Sequence, residues 1–151
     1  MMQFLLDTPE ETEAFGAYLF QYLPEKCVIF LLGDLGAGKT TLVRGFMRAA
    51  GHKGAVKSPT YNIVEEYRVN NRLFFHFDLY RLVDPQELEW IGIEDYLQQQ
   101  SICFIEWPEN GEGYLGDPDV ILSMTTTKNG RKLVIEKLAE EINIADFSKN
   151  V

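Results

Sequence analysis

The sequence predicts an α/β layered domain whose sheet mixes parallel and antiparallel strands. Three observations point there. A short, continuously apolar run, Cys27 to Leu32, leads through glycines into a helical pattern; two hairpin signals, Asn70-Asn71 and Lys128-Asn129-Gly130, each separate extended stretches; and helix-start signatures open at Thr8 and Asp84. At 151 residues the chain suits one domain, and chains of this size bury roughly 70% of their unfolded surface.

Taken in order, the first helix opens where Thr8 can cap the amide three residues on, Pro9 takes the first helical position and Glu11 reaches back. Ala14, Phe15, Tyr18, Leu19, Tyr22 and Leu23 then share one apolar face, and Pro24 ends it. Cys27 to Leu32 is rich in strand formers without alternation, as a strand covered on both faces should be. Leu42, Val43, Phe46, Met47 and Ala50 repeat at helical spacing after the glycines, and Gly51 closes that helix. Tyr61 to Val69 and Leu73 to Leu79 flank Asn70-Asn71, a pair that tolerates the left-handed angles of a two-residue turn. Asp84, Pro85 and Glu87 start a helical segment that Gly92 interrupts and that resumes through Tyr96 and Leu97. Ile102 to Ile105 reads as a second buried strand ending in Glu106. A long irregular loop rich in glycine follows, and Val120 to Thr126 and Arg131 to Ile135 form the second hairpin. The segment beyond Glu140 is weakly patterned, which allows a weakly ordered tail from about residue 141.

The charge narrows the function. With 23 acidic and 14 basic residues the formal charge is −9, which repels polyphosphate backbones and provides none of the counterion release behind nucleic-acid affinity. Direct binding of tRNA or DNA is disfavoured. Cys27 and Cys103 sit in apolar runs without metal-ligand spacing, so buried reduced thiols are expected. The amino terminus has no basic leader, and no stretch approaches the ~20 apolar residues of a membrane span. A cytoplasmic protein without a membrane partner is the expectation.

Chemistry enters at Gly33-Asp34-Leu35-Gly36-Ala37-Gly38-Lys39-Thr40, which fits G-x-x-x-x-G-K-[ST] between a strand and a helix. Gly36, Ala37 and Gly38 let backbone amides turn inward on phosphate oxygens, and the helix beginning near Lys39 adds its positive dipole end. Lys39 is placed to bridge the β- and γ-phosphates, Thr40 to give a hydroxyl oxygen to Mg²⁺, and Thr41 to bind the α-phosphate. The expected fold is therefore a P-loop NTPase-like three-layer domain holding ATP or ADP with Mg²⁺. Such a loop needs an acid near the metal, usually at the carboxyl end of a neighbouring strand. Asp78 ends Leu-Phe-Phe-His-Phe-Asp and Glu106 ends Ile-Cys-Phe-Ile-Glu; one can serve the metal and the other the attacking water, and spacing does not assign them. Ser58-Pro59-Thr60 fits either a nucleotide-sensing segment or a plain turn. His76, alternating with Phe75 and Phe77, reads as structural. Trp107 either packs or closes the nucleotide site.

Gly33 to Thr41, Lys-Ser-Pro-Thr-Tyr at 57 to 61, His-Phe-Asp-Leu-Tyr-Arg-Leu at 76 to 82 and Ile-Glu-Trp-Pro-Glu at 105 to 109 together resemble the TsaE family, formerly YjeE. The resemblance spans essentially the whole chain and is most specific between residues 33 and 109. It implies a Mg-dependent ATPase, weak without partners, required for N6-threonylcarbamoyladenosine at position 37 of tRNAs that read codons beginning with A. Such a protein binds the TsaD-TsaB pair and meets tRNA only through it, without itself transferring the threonylcarbamoyl group. Under the resemblance Lys39 is the phosphate lysine, Thr40 and Glu106 the metal residues, Asp78 the acid required for activity, Thr60 the switch-like threonine and Trp107 the tryptophan beside the nucleotide. Pro9 and Arg131 are assigned to the walls of the adenine pocket. Two rivals lack their marks: a small P-loop kinase normally carries an arginine-rich lid, and a GTPase switch carries N-K-x-D.

Overall fold

The computed structural model describes residues 2–59 and 62–144. Its elements are β1 (Met2–Leu6), α1 (Pro9–Tyr22), β2 (Cys27–Leu32), α2 (Lys39–Ala50), β3 (Val64–Val69), β4 (Arg72–Asp78), α3 (Gln86–Trp90), α4 (Ile93–Gln98), β5 (Ser101–Glu106), β6 (Val120–Thr126) and β7 (Arg131–Leu138), with a 3₁₀ turn at Pro108–Gly111. The seven strands make one sheet in the order β1-β7-β6-β2-β5-β4-β3. Its centre, β6-β2-β5-β4, is parallel, while β1-β7, β6-β7 and β3-β4 pair antiparallel. The mixed sheet expected from the sequence is what forms.

Local chemistry accounts for most boundaries. The Thr8 hydroxyl accepts from Glu11 N at 3.1 Å, and the Glu11 carboxylate reaches back to Asp7 N at 2.8 Å, a reciprocal cap at the start of α1. Asn70 and Asn71 adopt φ of 51° and 64°, the left-handed pair that joins β3 to β4. Strand β1 was not expected from the sequence: among the described residues its five residues pair only on the β7 side, at the edge of the sheet.

The sheet separates two cores. On one face Phe15 and Leu19 of α1 and Leu42, Val43, Phe46 and Met47 of α2 pack on Ile29, Leu31, Phe104 and Leu122. On the other, Phe75, Phe77, Cys103 and Ile105 meet Leu88, Ile93 and Leu115. This is a three-layer arrangement. Cys27 and Cys103 belong to opposite cores and are free thiols, pushed up by burial to about 12 and about 11. Ile142 and Ile144 are buried in the first core, so the weak patterning beyond Glu140 does not keep these two side chains from packing. Among the described residues no helix is long and apolar enough to cross a membrane.

The α1–α2 contact depends on two glycines. A Cβ on Gly45 would lie 2.1 Å from Glu13 O, and one on Gly16 would lie 2.2 Å from Leu42 O. Backbone oxygens cannot step aside without moving a helix. Gly45→Ala gains ~1 kcal/mol of helix propensity, but overpacking against backbone reaches or exceeds ~3 kcal/mol. A lowered denaturation midpoint at unchanged m-value is the expected result; an unchanged midpoint would show that α1 can shift freely.

Candidate functional site

The carboxyl ends of three neighbouring parallel strands bring the site together. β2 runs into the glycine loop, and β4 and β5 end side by side, Asp78 opposite Glu106 in register. The loop can take its path because Gly33, Gly36 and Gly38 have φ of 143°, 79° and 99°, angles costly to residues with a Cβ. Gly33 is also sterically required, since a Cβ there would lie 2.4 Å from Met124 O. Gly36, by contrast, faces open space. Gly38 is the N-cap of α2 and offers no side-chain cap, which leaves first-turn amides and the positive end of the helix available to an anion.

Lys39 is buried and directed inward. Its Nζ donates to Gly33 O at 2.5 Å, lies 3.4 Å from Glu106 Oε1, and sits 4.7 Å from the centre of the Trp107 ring. Trp107 holds a left-handed φ of 56° and packs against Tyr80 with ring centres 5.0 Å apart. A tryptophan in that conformation costs of order 1–3 kcal/mol, and here it lies directly after the site carboxylate. The Thr40 hydroxyl is 2.6 Å from Ser58 Oγ, which lies 3.5 Å from Glu106 Oε2.

The two carboxylates are in unlike surroundings. Burial pushes Glu106 up, but the hydrogen bond and charge of His76, together with Lys39, outweigh it and hold the carboxyl below the usual range. Asp78 goes the other way: burial raises it, the amide of Tyr80 at 3.0 Å partly offsets this, and the neighbouring Glu106 charge raises it again. Glu106 is thus the more firmly ionised of the pair, with Asp78 the readier to take a proton.

Gly36, Gly38, Lys39, Thr40, Thr41, Asp78, Glu106 and Arg131 line one cleft of about 310 Å³, together with Leu35 and Ser58. Ala37 is buried in the same loop. A smaller adjoining cavity of about 80 Å³ is bounded by Thr8, Pro9, Gly38, Thr41 and Arg131. Arg131 closes it from β7, donating to Gly36 O and Gly130 O at 3.0 Å each. The sequence-selected Pro9 and Arg131, 122 positions apart, therefore share a wall beside the loop. Thr60 lies outside the described residues.

Against this geometry, the family model for "Threonylcarbamoyl adenosine biosynthesis protein TsaE" matches residues 6–134. The chain belongs to the TsaE family. A TsaE from Haemophilus influenzae is 48% identical over 138 residues, covering 91% of this chain and 84% of that protein. A TsaE from Bacillus subtilis is 33% identical over 150 residues, covering 91% and 94% respectively. A crystal structure of Bacillus subtilis YdiB superposes with a TM-score of 0.74 at 25% identity, covering 95% of this chain and 86% of that one.

Within this TsaE chain, the structure adds two residues to those the sequence singled out. Ser58, passed over in favour of Thr60, touches Thr40. His76, read as structural, contacts Glu106 at 2.5 Å. The signal for His76 was present: in a parallel pair, residue 76 on β4 and residue 106 on β5 emerge on the same face when 78 pairs with 106. That inference needs the pairing register, which only the folded sheet supplies.

Proposed function

We propose that this TsaE-family chain binds and hydrolyses Mg-ATP and, with TsaD and TsaB, supports formation of N6-threonylcarbamoyladenosine at position 37 of tRNAs that read codons beginning with A. The observation that carries this reading is the convergence of the loop glycines, Lys39, Thr40, Asp78 and Glu106 on one cleft at the strand ends.

The residues fit the nucleotide and its ion. Gly36 faces open space and α2 starts without a side-chain cap, a cradle suited to phosphate. Thr40 and Glu106 offer the hard oxygens that Mg²⁺ takes while it keeps waters and phosphate oxygens as its other ligands. The ion's contribution, when bound, is to neutralise charge on the β- and γ-phosphates. Lys39, which lies on Gly33 O and beside Glu106 Oε1, would hold the phosphates, and Glu106 would offer its carboxylate to the ion. Asp78 accepts from Tyr80 N and, among the described residues, has no cation within salt-bridge distance; it would orient water or couple the γ-phosphate to a partner surface. Arg131 and Pro9 border the base side.

The acidic charge accords with tRNA being held by a partner. Titration with a fluorescent ATP analogue, followed by turnover with and without TsaD and TsaB, tests the proposal. Micromolar binding with turnover raised at least tenfold by the pair is expected. Turnover raised by a nucleoside instead, with formation of a phosphorylated product, would make the chain a small-molecule kinase.

A further inference from the structure

His76 has no evident reason to be polar on packing grounds. It is 1% exposed, in a strand that reads Phe74-Phe75-His76-Phe77. Burying an imidazole costs free energy unless its nitrogens are hydrogen-bonded, and a fourth phenylalanine would pack without that cost. Its Nδ1 has no hydrogen-bond partner among the described residues. Among the described residues, the polar contact of the ring is that of its Nε2 with Glu106 Oε2 at 2.5 Å. Since the carboxylate is the acceptor there, Nε2 is the donor.

The two oxygens of Glu106 are held from opposite sides. His76 takes Oε2 and Lys39 Nζ approaches Oε1 at 3.4 Å. Lys39 is the group that must move when phosphate enters, whereas His76 is fixed within the sheet, in register with Glu65 and Phe104. Departure of Lys39 would leave Oε2 held by His76 at 2.5 Å and by Ser58 Oγ only at 3.5 Å, which makes the imidazole the tighter restraint on rotation of the carboxylate.

We propose that His76 is a positioning residue: it clamps Glu106 Oε2 so that Oε1 alone is presented to the nucleotide-bound Mg²⁺. This rests on the Mg-nucleotide reading above. Partners that orient a metal-binding carboxylate are commonly worth 10–100-fold in metal affinity. The clamp also lowers the freedom of the carboxylate before the ion arrives.

The test compares wild type, His76→Phe and His76→Gln in binding of a fluorescent ADP, once in EDTA and once over a Mg²⁺ titration, with melting temperatures recorded in parallel. Phe keeps the volume and loses the donor; Gln keeps an N–H at similar reach. His76→Phe is expected to raise the half-saturating Mg²⁺ concentration about 10–100-fold while binding in EDTA stays near wild type, and His76→Gln is expected to restore most of the Mg²⁺ response. If His76→Phe does not fold, His76→Asn, whose amide is too short to reach Glu106, provides the same contrast. An unchanged Mg²⁺ response in a folded His76→Phe or His76→Asn protein overturns the proposal, as does an equal loss in EDTA and Mg²⁺. Wild type that binds no nucleotide in either condition would instead sink the Mg-nucleotide reading itself.

Discussion

Lys39→Ala is expected to lower ATP turnover by about 10²–10³-fold, the usual loss when one donor aimed at developing charge is removed. Lys39 stands at the first position of α2, within the cleft that Thr40 and Glu106 also line. Its ammonium is already desolvated, 5% exposed and seated on Trp107, so its attraction to phosphate is little weakened by water. The burial adds a second consequence to the one the sequence suggested. Removing one partner of a buried ion pair costs ~3–5 kcal/mol when the other is stranded, but His76 and Ser58 remain on Glu106, so a smaller loss is expected. Melting temperature should accompany the kinetics, with Lys39→Met as a variant that keeps the packing on Trp107. Normal hydrolysis by a folded Lys39→Ala protein would overturn the P-loop assignment.

Asp78→Asn is expected to separate binding from hydrolysis: ATP affinity near wild type, with partner-stimulated turnover and repeated tRNA modification falling by about 10²-fold or more. A residue that acts only in the transition state lowers kcat without weakening substrate. Asn keeps the oxygen that accepts from Tyr80 N and removes the charge. The same substitution should stabilise the protein near neutral pH. The folded-state pKa of Asp78 is raised, chiefly by burial and also by Glu106. Its ionised form therefore costs stability above that raised value, and the cost vanishes as pH falls below the unfolded value of ~3.9. The melting-temperature gain of Asp78→Asn should accordingly be present at pH 7 and absent at pH 3. Glu106 has the opposite sign: its depressed pKa contributes stability above the unfolded value, lost as pH falls through the folded one. Equal losses in affinity and turnover would make Asp78 a binding residue, and a destabilised Asp78→Asn at pH 7 would contradict the direction of its shift.

The loop, its strand and its helix were legible because each depends on near neighbours. Glycines that need positive φ, a lysine and threonine at fixed offset, and an apolar run of strand length are local properties of the chain. The reciprocal cap at Thr8 and Glu11 and the Asn70-Asn71 turn are local in the same sense, and they formed where the sequence placed them. Strand β1 escaped because Met2–Leu6 is a short edge segment with little alternation to mark it; its conformation comes from pairing with β7, more than 120 residues away.

The sequence by itself determined the mixed α/β layering, the glycine loop with its lysine and threonine, and the two strand-end acids, since period, turn chemistry and motif spacing act within a few residues. Only the tertiary structure decided how those acids differ. Parallel pairing of β4 with β5 sets Asp78 beside Glu106 and His76 on the same face as Glu106, while the α2 start brings Lys39 to Glu106 and not to Asp78. The antiparallel edge likewise brought Pro9 and Arg131 to one cavity. The free energy of a buried charge depends on which polar groups lie within a few ångströms of it, and what lines a cavity likewise depends on proximity; for residues 28, 30, 67 or 122 positions apart that distance is set by sheet register and strand order, which no local pattern encodes.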